Sequence, residues 1–183
     1  MKQPTLETER LVLRPFVISD AQEVQRLAGD RSIADTTLHV PHPYGDGVAE
    51  EWISTHSSKY TSGDLATFAV IQRSDDCLVG TVGITISQAF KRADLGYWIG
   101  VPYWGQGYCT EASKCLVDFA FNTLKLHRIT AYHLVRNPAS GRVMQKLGMT
   151  KEGVLREHTC RWGKYEDLVM YGILSSDTSQ SEY

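Results

Sequence analysis

Closely spaced cysteines are absent from this sequence. Its four cysteines are Cys77, Cys109, Cys115 and Cys160, and no two of them form a Cys-x-x-Cys pair. Structural zinc sites use such pairs, and small disulfide-stapled domains have a much higher density of cysteine. The sequence therefore predicts neither a bound metal nor a disulfide framework.

A large net charge and a long apolar run are absent as well. The 183 residues carry a formal net charge of -2, whereas proteins that bind nucleic acid or anionic membranes by charge are strongly basic. No run approaches the roughly 18 apolar residues of a membrane-spanning helix, and residues 1–7 contain no apolar signal region. We therefore expect a cytoplasmic protein with neither a nucleic-acid nor a membrane partner.

Apolar residues are present in the amount and spacing of a folded domain. They make up 42% of the chain, and we expect one domain over residues 1–174 with a polar tail at 175–183. Short apolar runs between turn residues predict strands at 11–16, 66–73, 77–86, 92–99, 128–135, 150–160 and 165–174. Helical spacing predicts helices at 19–29, 47–60, from the glycine loop to about 126, and 137–148, with a loop at 30–46. This order predicts an α+β (mixed α/β) fold around one sheet.

A glycine-rich segment lies between a predicted strand and a predicted helix. Residues 104–110 read Trp-Gly-Gln-Gly-Tyr-Cys-Thr, and the long apolar helix follows them directly. Glycine lets backbone N–H groups approach an anion closely, and a helix N-terminus adds about half a positive charge. The segment therefore predicts a binding site for a phosphorylated ligand.

Four segments in order carry a shared pattern across nearly the whole chain. They are residues 6–15, 95–99, 103–112, and 137–140 followed by 146–153. Together they resemble the GNAT superfamily of acetyltransferases, and among these the RimJ/RimL-type enzymes that acetylate the N-termini of ribosomal proteins. The resemblance implies one central, mostly antiparallel sheet of about seven strands with a splayed central pair, flanked by about four helices. It also implies acetyl-CoA as the donor and no metal.

The resemblance further implies which residues bind acetyl-CoA. Backbone N–H groups of residues 105–110 would bind the pyrophosphate, and those of residues 98–100 would bind the pantetheine arm or the thioester oxygen. Asn137 would bind the pantetheine and Ser140 would reach the thiol sulfur, although both residue types are also ordinary helix caps. The implied set is Trp98, Ile99, Gly100, Trp104, Gly105, Gln106, Gly107, Tyr108, Cys109, Thr110, Asn137 and Ser140.

Acetyl transfer to an amine also needs a general base, because an ammonium group has no lone pair with which to attack. Asp94 is the first candidate, since it begins the central strand near the implied acceptor entrance. Glu157, on a late strand, is another, and Glu111 at the start of the long helix is a rival. Each has a plainer alternative, an ion pair with a neighbouring Lys or Arg for Asp94 and Glu157, and stabilisation by the helix dipole for Glu111.

The proton donor to the departing thiol differs from the family's usual one. Many members place a Tyr in the last helix, and the matching position here is Met144, which leaves Ser140 or a water for the task. Cys109 raises a covalent alternative through an acetyl-cysteine, because the pKa of a thiol falls at a helix N-terminus. The plainer interpretation of Cys109 is a small packing residue.

The acceptor is expected to be an α-amino group of a protein or peptide. A small amine, such as a polyamine, an amino acid or an amino-sugar antibiotic, is the alternative, because acidic residues outnumber basic ones over residues 30–62. The acidic residues are Asp30, Asp35, Asp46, Glu50 and Glu51, against Arg31 and Lys59. Aromatic and histidine side chains of the same region predict an aromatic acceptor cleft; they are His39, His42, Tyr44, Trp52, His56 and Tyr60.

Two further function classes remain open from the sequence. A catalytically silent acyl-CoA sensor would explain the missing Tyr at Met144. A dinucleotide oxidoreductase would use the glycine loop, but it needs a preceding βαβ frame and an acidic residue about 20 residues on, and neither is evident. Exposed strand edges also allow a homodimer.

Overall fold

The computed structural model describes residues 2–178. Within these residues the chain forms eight strands and seven α-helices. The strands are β1 (Leu6–Glu7), β2 (Leu11–Arg14), β3 (Leu65–Gln72), β4 (Cys77–Ser87), β5 (Arg92–Ile99), β6 (Arg128–Leu134), β7 (Thr150–Arg161) and β8 (Lys164–Leu174). The helices are α1 (Ala21–Ala28), α2 (Arg31–Thr36), α3 (Val48–Ser54), α4 (His56–Ser62), α5 (Tyr108–Asn122), α6 (Pro138–Lys146) and α7 (Ser175–Thr178).

All eight strands belong to one sheet, in the order β1-β2-β3-β4-β5-β6-β8-β7. Every neighbouring pair is antiparallel except β5 with β6, which run parallel because α5 carries the chain from the end of one strand back to the start of the other. The α+β fold with a mostly antiparallel sheet, implied by the resemblance, is therefore confirmed.

The parallel pair at the centre of the sheet is joined over only half its length. Strand β5 pairs with β6 from Arg92 opposite Arg128 to Leu95 opposite Ala131. Beyond that point β5 continues along β4, and β6 continues along β8. The two strands therefore part, as the splayed pair of the prediction requires, and they leave an opening in the middle of the sheet.

The two faces of the sheet are covered by different helices. On one face, α5 buries Leu116 and Ala120 in a core cluster that includes Phe68 and Ile84. On the other face, α1 and α3 pack over the sheet in a second cluster that includes Trp98. The opening between β5 and β6 thus lies between two separately packed layers.

Two predicted boundaries on the α1–α3 side are wrong. The predicted loop contains α2, which Asp30 caps by accepting a hydrogen bond from the backbone N–H of Ser32 at 2.8 Å. The predicted helix 47–60 is split into α3 and α4 at Thr55. The hydroxyls of Ser54 and Thr55 donate to carbonyls three residues back, at 2.7 and 3.0 Å, and such bonds compete with the helical pattern.

The ends of the described chain also differ from the prediction. Leu6–Glu7 forms an additional two-residue edge strand against β2. Ser175–Thr178, at the start of the predicted polar tail, forms a helical turn in which the Asp177 carboxylate accepts from the N–H of Leu174 at 2.9 Å; the rest of that tail lies outside the described residues. No helix within residues 2–178 is both long and apolar enough to cross a membrane.

Candidate active site

A cleft of about 1040 Å³ opens where β5 and β6 part. Its floor is formed by β3, β4 and β5, among them Thr85, Asp94 and Gly96. Tyr97, Ser140 and Met144 line it towards α6, while the segment between α2 and α3 forms the opposite wall. The predicted candidates Asp94 and Ser140 therefore share one cavity.

The glycine loop has the geometry of an anion cradle. Gly105 and Gly107 adopt φ values of +77° and +84°, which side chains other than glycine rarely allow, and Gly107 caps α5 without a side-chain hydrogen bond. Within the described chain, the first backbone N–H of this region that donates to a carbonyl is that of Glu111, to Gly107 at 3.1 Å. The N–H groups of residues 105–110 thus remain available, as a pyrophosphate site requires.

The cradle is held from outside by the start of the chain. The Glu111 carboxylate accepts from the Thr8 hydroxyl at 2.6 Å and from Arg10 Nε at 2.7 Å, while Arg10 Nη1 donates to the Gln106 carbonyl at 3.0 Å. Burial alone would raise the pKa of Glu111, but these bonds outweigh it and lower the pKa. Glu111 therefore fixes the cradle and is poorly suited to act as a base. Sequence reasoning missed Thr8 and Arg10, which are about 100 residues away along the chain.

The backbone donors of β5 differ from the expectation. The N–H of Gly100 donates to the carbonyl of Val79 at 2.8 Å, so it is not free for a ligand. Because antiparallel pairing alternates, the N–H of Trp98 also faces β4, whereas those of Tyr97 and Ile99 face the opening. Of residues 98–100, Ile99 alone has a backbone N–H that faces the opening, and Tyr97 offers a second such N–H that sequence reasoning missed.

The Trp104 side chain fastens the start of the glycine loop to the end of β5. Its indole Nε1 donates to the carbonyl of Ile99 at 2.5 Å, and the residue is 47% exposed. Trp104 thus connects the end of β5 to the loop, and its cofactor-binding role stays a prediction.

Asp94 is exposed on the floor of the cleft. Its carboxylate accepts a hydrogen bond from the hydroxyl of Thr130, on the paired strand β6. Among the described residues, neither Lys91 nor Arg92 forms the ion pair with Asp94 that was the plainer alternative. The carboxylate therefore faces the cavity with no cation bound to it, which is the arrangement a general base needs.

Ser140 meets a phenol that sequence reasoning missed. The hydroxyl of Tyr97 lies 2.9 Å from Ser140 Oγ and 3.2 Å from the Ser140 carbonyl oxygen. Burial is the main cause that raises the pKa of Tyr97, so the phenol stays protonated and can donate. The sequence carried a signal for the direction of the Tyr97 side chain. Side chains alternate between the two faces of a strand, so the residues on either side of Trp98 point to the face opposite to it.

Asn137 caps α6, the plainer of its two predicted roles. Its side-chain oxygen accepts from the N–H of Ser140 at 3.4 Å, and its amide nitrogen donates to the carbonyl of Thr36 at 3.3 Å. Both ends of the amide are therefore used within the protein. Asn137 thereby links α6 to the end of α2 and positions Ser140.

Glu157 does not reach the cleft. It is exposed, adopts φ +48° at an irregularity in β7, and its N–H donates to the Asp167 carboxylate at 2.8 Å. The neighbouring residues His158 and Thr159 line the cavity instead. The prediction placed Glu157 on a late strand facing the acceptor, and at the irregularity in that strand its neighbours take the positions in the lining instead.

Cys109 is partly buried in the first turn of α5, beside Ser113. Burial raises the pKa of its thiol to about 12, against the lowering expected at a helix N-terminus. Since the thiolate is the nucleophilic form, the covalent alternative loses its physical basis. Within the described residues, no group of three or more His, Cys, Asp and Glu side chains could hold a metal ion.

The acceptor wall is partly as predicted. His39, Tyr44 and Trp52 line the cleft, whereas His42, His56 and Tyr60 do not. His56 is buried behind the wall in edge-to-face contact with Trp52, their ring centroids 4.4 Å apart, and among the described residues neither ring nitrogen has a hydrogen-bond partner. Burial, with a smaller contribution from Lys59, lowers its pKa to about 4. His56 is thus a neutral packing residue.

Comparison with known proteins agrees with this geometry. A family model described as an acetyltransferase (GNAT) domain matches residues 10–150. The probable N-acetyltransferase YjcK of Bacillus subtilis is 32% identical over 96% of this chain and 99% of its own length. The fold is shared with RimL, a ribosomal L7/L12 α-N-protein acetyltransferase solved with coenzyme A, at a TM-score of 0.86 and 18% identity over 93% of this chain and 98% of that one.

Two other relatives carry an acceptor in their names. The ribosomal protein uS5-alanine N-acetyltransferase of Escherichia coli is 25% identical over 64% of this chain and 62% of its own length. The spermidine N(1)-acetyltransferase of Vibrio cholerae is 24% identical over 91% of this chain and 94% of its own. The extent of these matches, together with the cradle and the splayed sheet, shows that the chain belongs to the GNAT family and is an N-acetyltransferase.

Proposed function

We propose that this protein transfers an acetyl group from acetyl-CoA directly to the α-amino group of a protein or peptide, with both substrates bound at once. The observation that carries the proposal is the arrangement of the cleft, in which Asp94 on the floor and Ser140 at the α6 side face one cavity. When bound, acetyl-CoA supplies an acetyl group activated as a thioester. Holding it beside the amine would account for much of the rate.

On the donor side, the free N–H groups of residues 105–110 would bind the pyrophosphate, helped by the hydroxyl of Thr110. The N–H groups of Tyr97 and Ile99 would bind the pantetheine or the thioester oxygen, since they face the opening between β5 and β6. Preset donors at a developing oxyanion are typically worth a few kcal/mol in the transition state.

On the acceptor side, Asp94 would take the proton that the ammonium group must lose, directly or through a water. As the new C–N bond forms and the C–S bond breaks, the Ser140 hydroxyl would donate its proton to the departing sulfur. A thiolate is already a tolerable leaving group, because the pKa of an ordinary thiol is about 8.5. The nitrogen loses two protons in all: the first goes to Asp94 before attack, and the second leaves the C–N adduct and passes through water to Ser140, replacing the proton given to sulfur. The net release is one proton, which Asp94 returns to solvent.

A small amine is the second candidate acceptor, favoured by the relative named for spermidine. Mass spectrometry of products after incubation with acetyl-CoA would compare the two classes, using one pool of N-terminal peptides and one of small amines. We expect acetylated peptides, with Asp94→Asn inactive at neutral pH in the same assay. Acetylation of the small-amine pool alone would overturn the peptide assignment, and acetyl-CoA binding without thiol release for any amine would overturn transfer itself.

A further inference from the structure

From the lining of the cleft we infer that the acceptor brings one positive charge, on the reacting amine, and an apolar group beside it. The inference rests on the proposed function, because it concerns the acceptor side of the same site. It divides amines by their chemistry rather than by their source, so it applies to peptides and to small molecules alike.

The charge of the cleft carries the first half of the inference. Among the described residues that line it, Asp94 is the only carboxylate, and neither Lys nor Arg lines it. The other titratable side chains in the lining are three tyrosines and three histidines. The histidines are His39, His133 and His158. One ammonium group can therefore be matched by a carboxylate, and a second would stay unpaired in a largely apolar cavity.

The acidic residues that raised the possibility of a polyamine lie outside the cleft. Asp30 caps α2, and Asp35 forms an ion pair with Arg136 at 3.2 Å. Asp46 accepts from the side-chain amide of Gln25 at 2.8 Å. Glu50 and Glu51 are exposed on α3 and are not part of the lining. The excess of acidic residues over 30–62 therefore does not make the cleft acidic.

An apolar wall supports the second half of the inference, that the acceptor has an apolar group beside its amine. The side chains that α1, α3 and the intervening loop turn towards the cavity are mostly aliphatic or aromatic; they include Val24, Leu38, Val40, Tyr44, Val48 and Trp52. Trp52 is held in place from behind by Phe16, with ring centroids 5.1 Å apart, and by His56. The wall is thus formed before a ligand arrives and would gain free energy by covering an apolar group.

Matched amines test the inference. Butylamine and 1,4-diaminobutane have the same carbon chain and differ only by a second ammonium group. We expect a kcat/KM at least about tenfold higher for butylamine than for the diamine. Calorimetry on the complex with coenzyme A should likewise show that butylamine binds more tightly. Equal or better use of the diamine would overturn the inference. If butylamine is acetylated and peptides are not, the peptide assignment fails while the inference stands; if nothing is acetylated, the calorimetric comparison still decides it.

A charge placed in the wall should reverse the preference. Val48 lines the cleft from α3 and is half-buried, so Val48→Asp supplies a second carboxylate there. We expect it to shift the ratio of kcat/KM for the two amines about tenfold towards the diamine. Val154→Asp is the matched control, since Val154 is 45% exposed on β7 and outside the lining. A folded Val48→Asp protein, verified by circular dichroism, with an unchanged ratio would contradict the inference.

Discussion

The single side chain of Tyr97 links β5 to α6 through its contact with Ser140. A phenol that donates to Ser140 Oγ leaves the serine proton free to point at the sulfur of the donor. We expect Tyr97→Phe to lower kcat about tenfold with little change in either KM, because one hydrogen bond of about 1.4 kcal/mol is lost in the transition state. Initial rates of thiol release from acetyl-CoA measure the effect.

The serine supplies the control for that prediction. Ser140→Ala should lower kcat at least as much, and the double variant Tyr97→Phe/Ser140→Ala should be no slower than Ser140→Ala alone, since the two side chains act through one contact. Multiplicative losses in the double variant would show that Tyr97 acts independently of Ser140.

Cys109 allows a second residue-scale prediction. With a pKa of about 12, its thiol is ionised to about one part in ten thousand at pH 8, so it should resist alkylation. The exposed Cys160 offers the internal comparison in the same chain. Peptide mass spectrometry after iodoacetamide treatment should find Cys160 modified and Cys109 intact, and Cys109→Ala should keep its turnover. Loss of turnover in a folded Cys109→Ala protein would revive the covalent alternative.

At the scale of elements, the start of the chain and the first turn of α5 act as a unit through Glu111. Removing the charge in Glu111→Gln should lower the free energy of unfolding by about 1–2 kcal/mol at pH 7, because three hydrogen bonds to a carboxylate weaken. Loosening the cradle should also raise the KM for acetyl-CoA. Urea denaturation and initial rates measure the two effects.

The pH dependence of that difference has a definite sign. The pKa of Glu111 is lowered in the folded protein relative to an ordinary value of 4.5, so its contribution is complete above pH 4.5 and is lost as the pH falls through the folded value. The difference in the free energy of unfolding between the native protein and Glu111→Gln should therefore disappear in acid. Glu23→Gln is the control, since the exposed pair of Glu23 with Arg26 should contribute no more than about 0.5 kcal/mol. A difference that does not narrow at all as the pH falls below 4.5 would contradict this assignment.

Elements whose formation depends on local chemistry were predictable. The predicted bounds of β5 match the observed ones because turn residues flank the strand, and α6 begins at an Asn cap followed by Pro. Helix α2 carried a local signal as well, Asp30 before Arg31 and Ser32, but His and Pro residues further along masked it. The break at Thr55 depends on hydroxyls bonding back to the backbone, which apolar spacing does not reveal.

At the scale of the whole molecule, the cleft depends on contacts that no local pattern contains. The donors of residues 98–100 could be assigned only once the register of β5 against β4 was known, and the same register turned Tyr97 towards Ser140. The nearness of Glu111 to Thr8 and Arg10 likewise joins segments about 100 residues apart. The glycine segment predicted the cradle, and the resemblance implied the cofactor from four motifs, whereas the side chains of the acceptor wall required the assembled fold.

The β7–β8 hairpin holds the acceptor wall in place across the molecule. Arg161, near the end of β7, donates to the carbonyls of Ala34, Leu38 and Val40, and its guanidinium lies 4.8 Å from the ring of Trp162. Arg136 joins the same regions by bonding both Asp35 and Glu166. Three backbone carbonyls, one in α2 and two in the wall that follows it, thus depend on one side chain that is more than 120 residues away in sequence.

Replacing that side chain tests whether the hairpin sets the shape of the acceptor site. The three bonds come from two nitrogens of a planar guanidinium, a geometry that the single nitrogen of a lysine does not reproduce. Arg161→Lys should therefore lower the opening free energy of residues 34–40 by about 1–2 kcal/mol. Hydrogen exchange measures this directly. The KM for the acceptor amine should rise while that for acetyl-CoA stays constant, because Thr8 and Arg10 hold the cradle separately. Arg156→Lys, at an exposed position on the same strand, should change neither quantity, and a matching rise in the KM for acetyl-CoA with Arg161→Lys would mean that the hairpin supports the whole site.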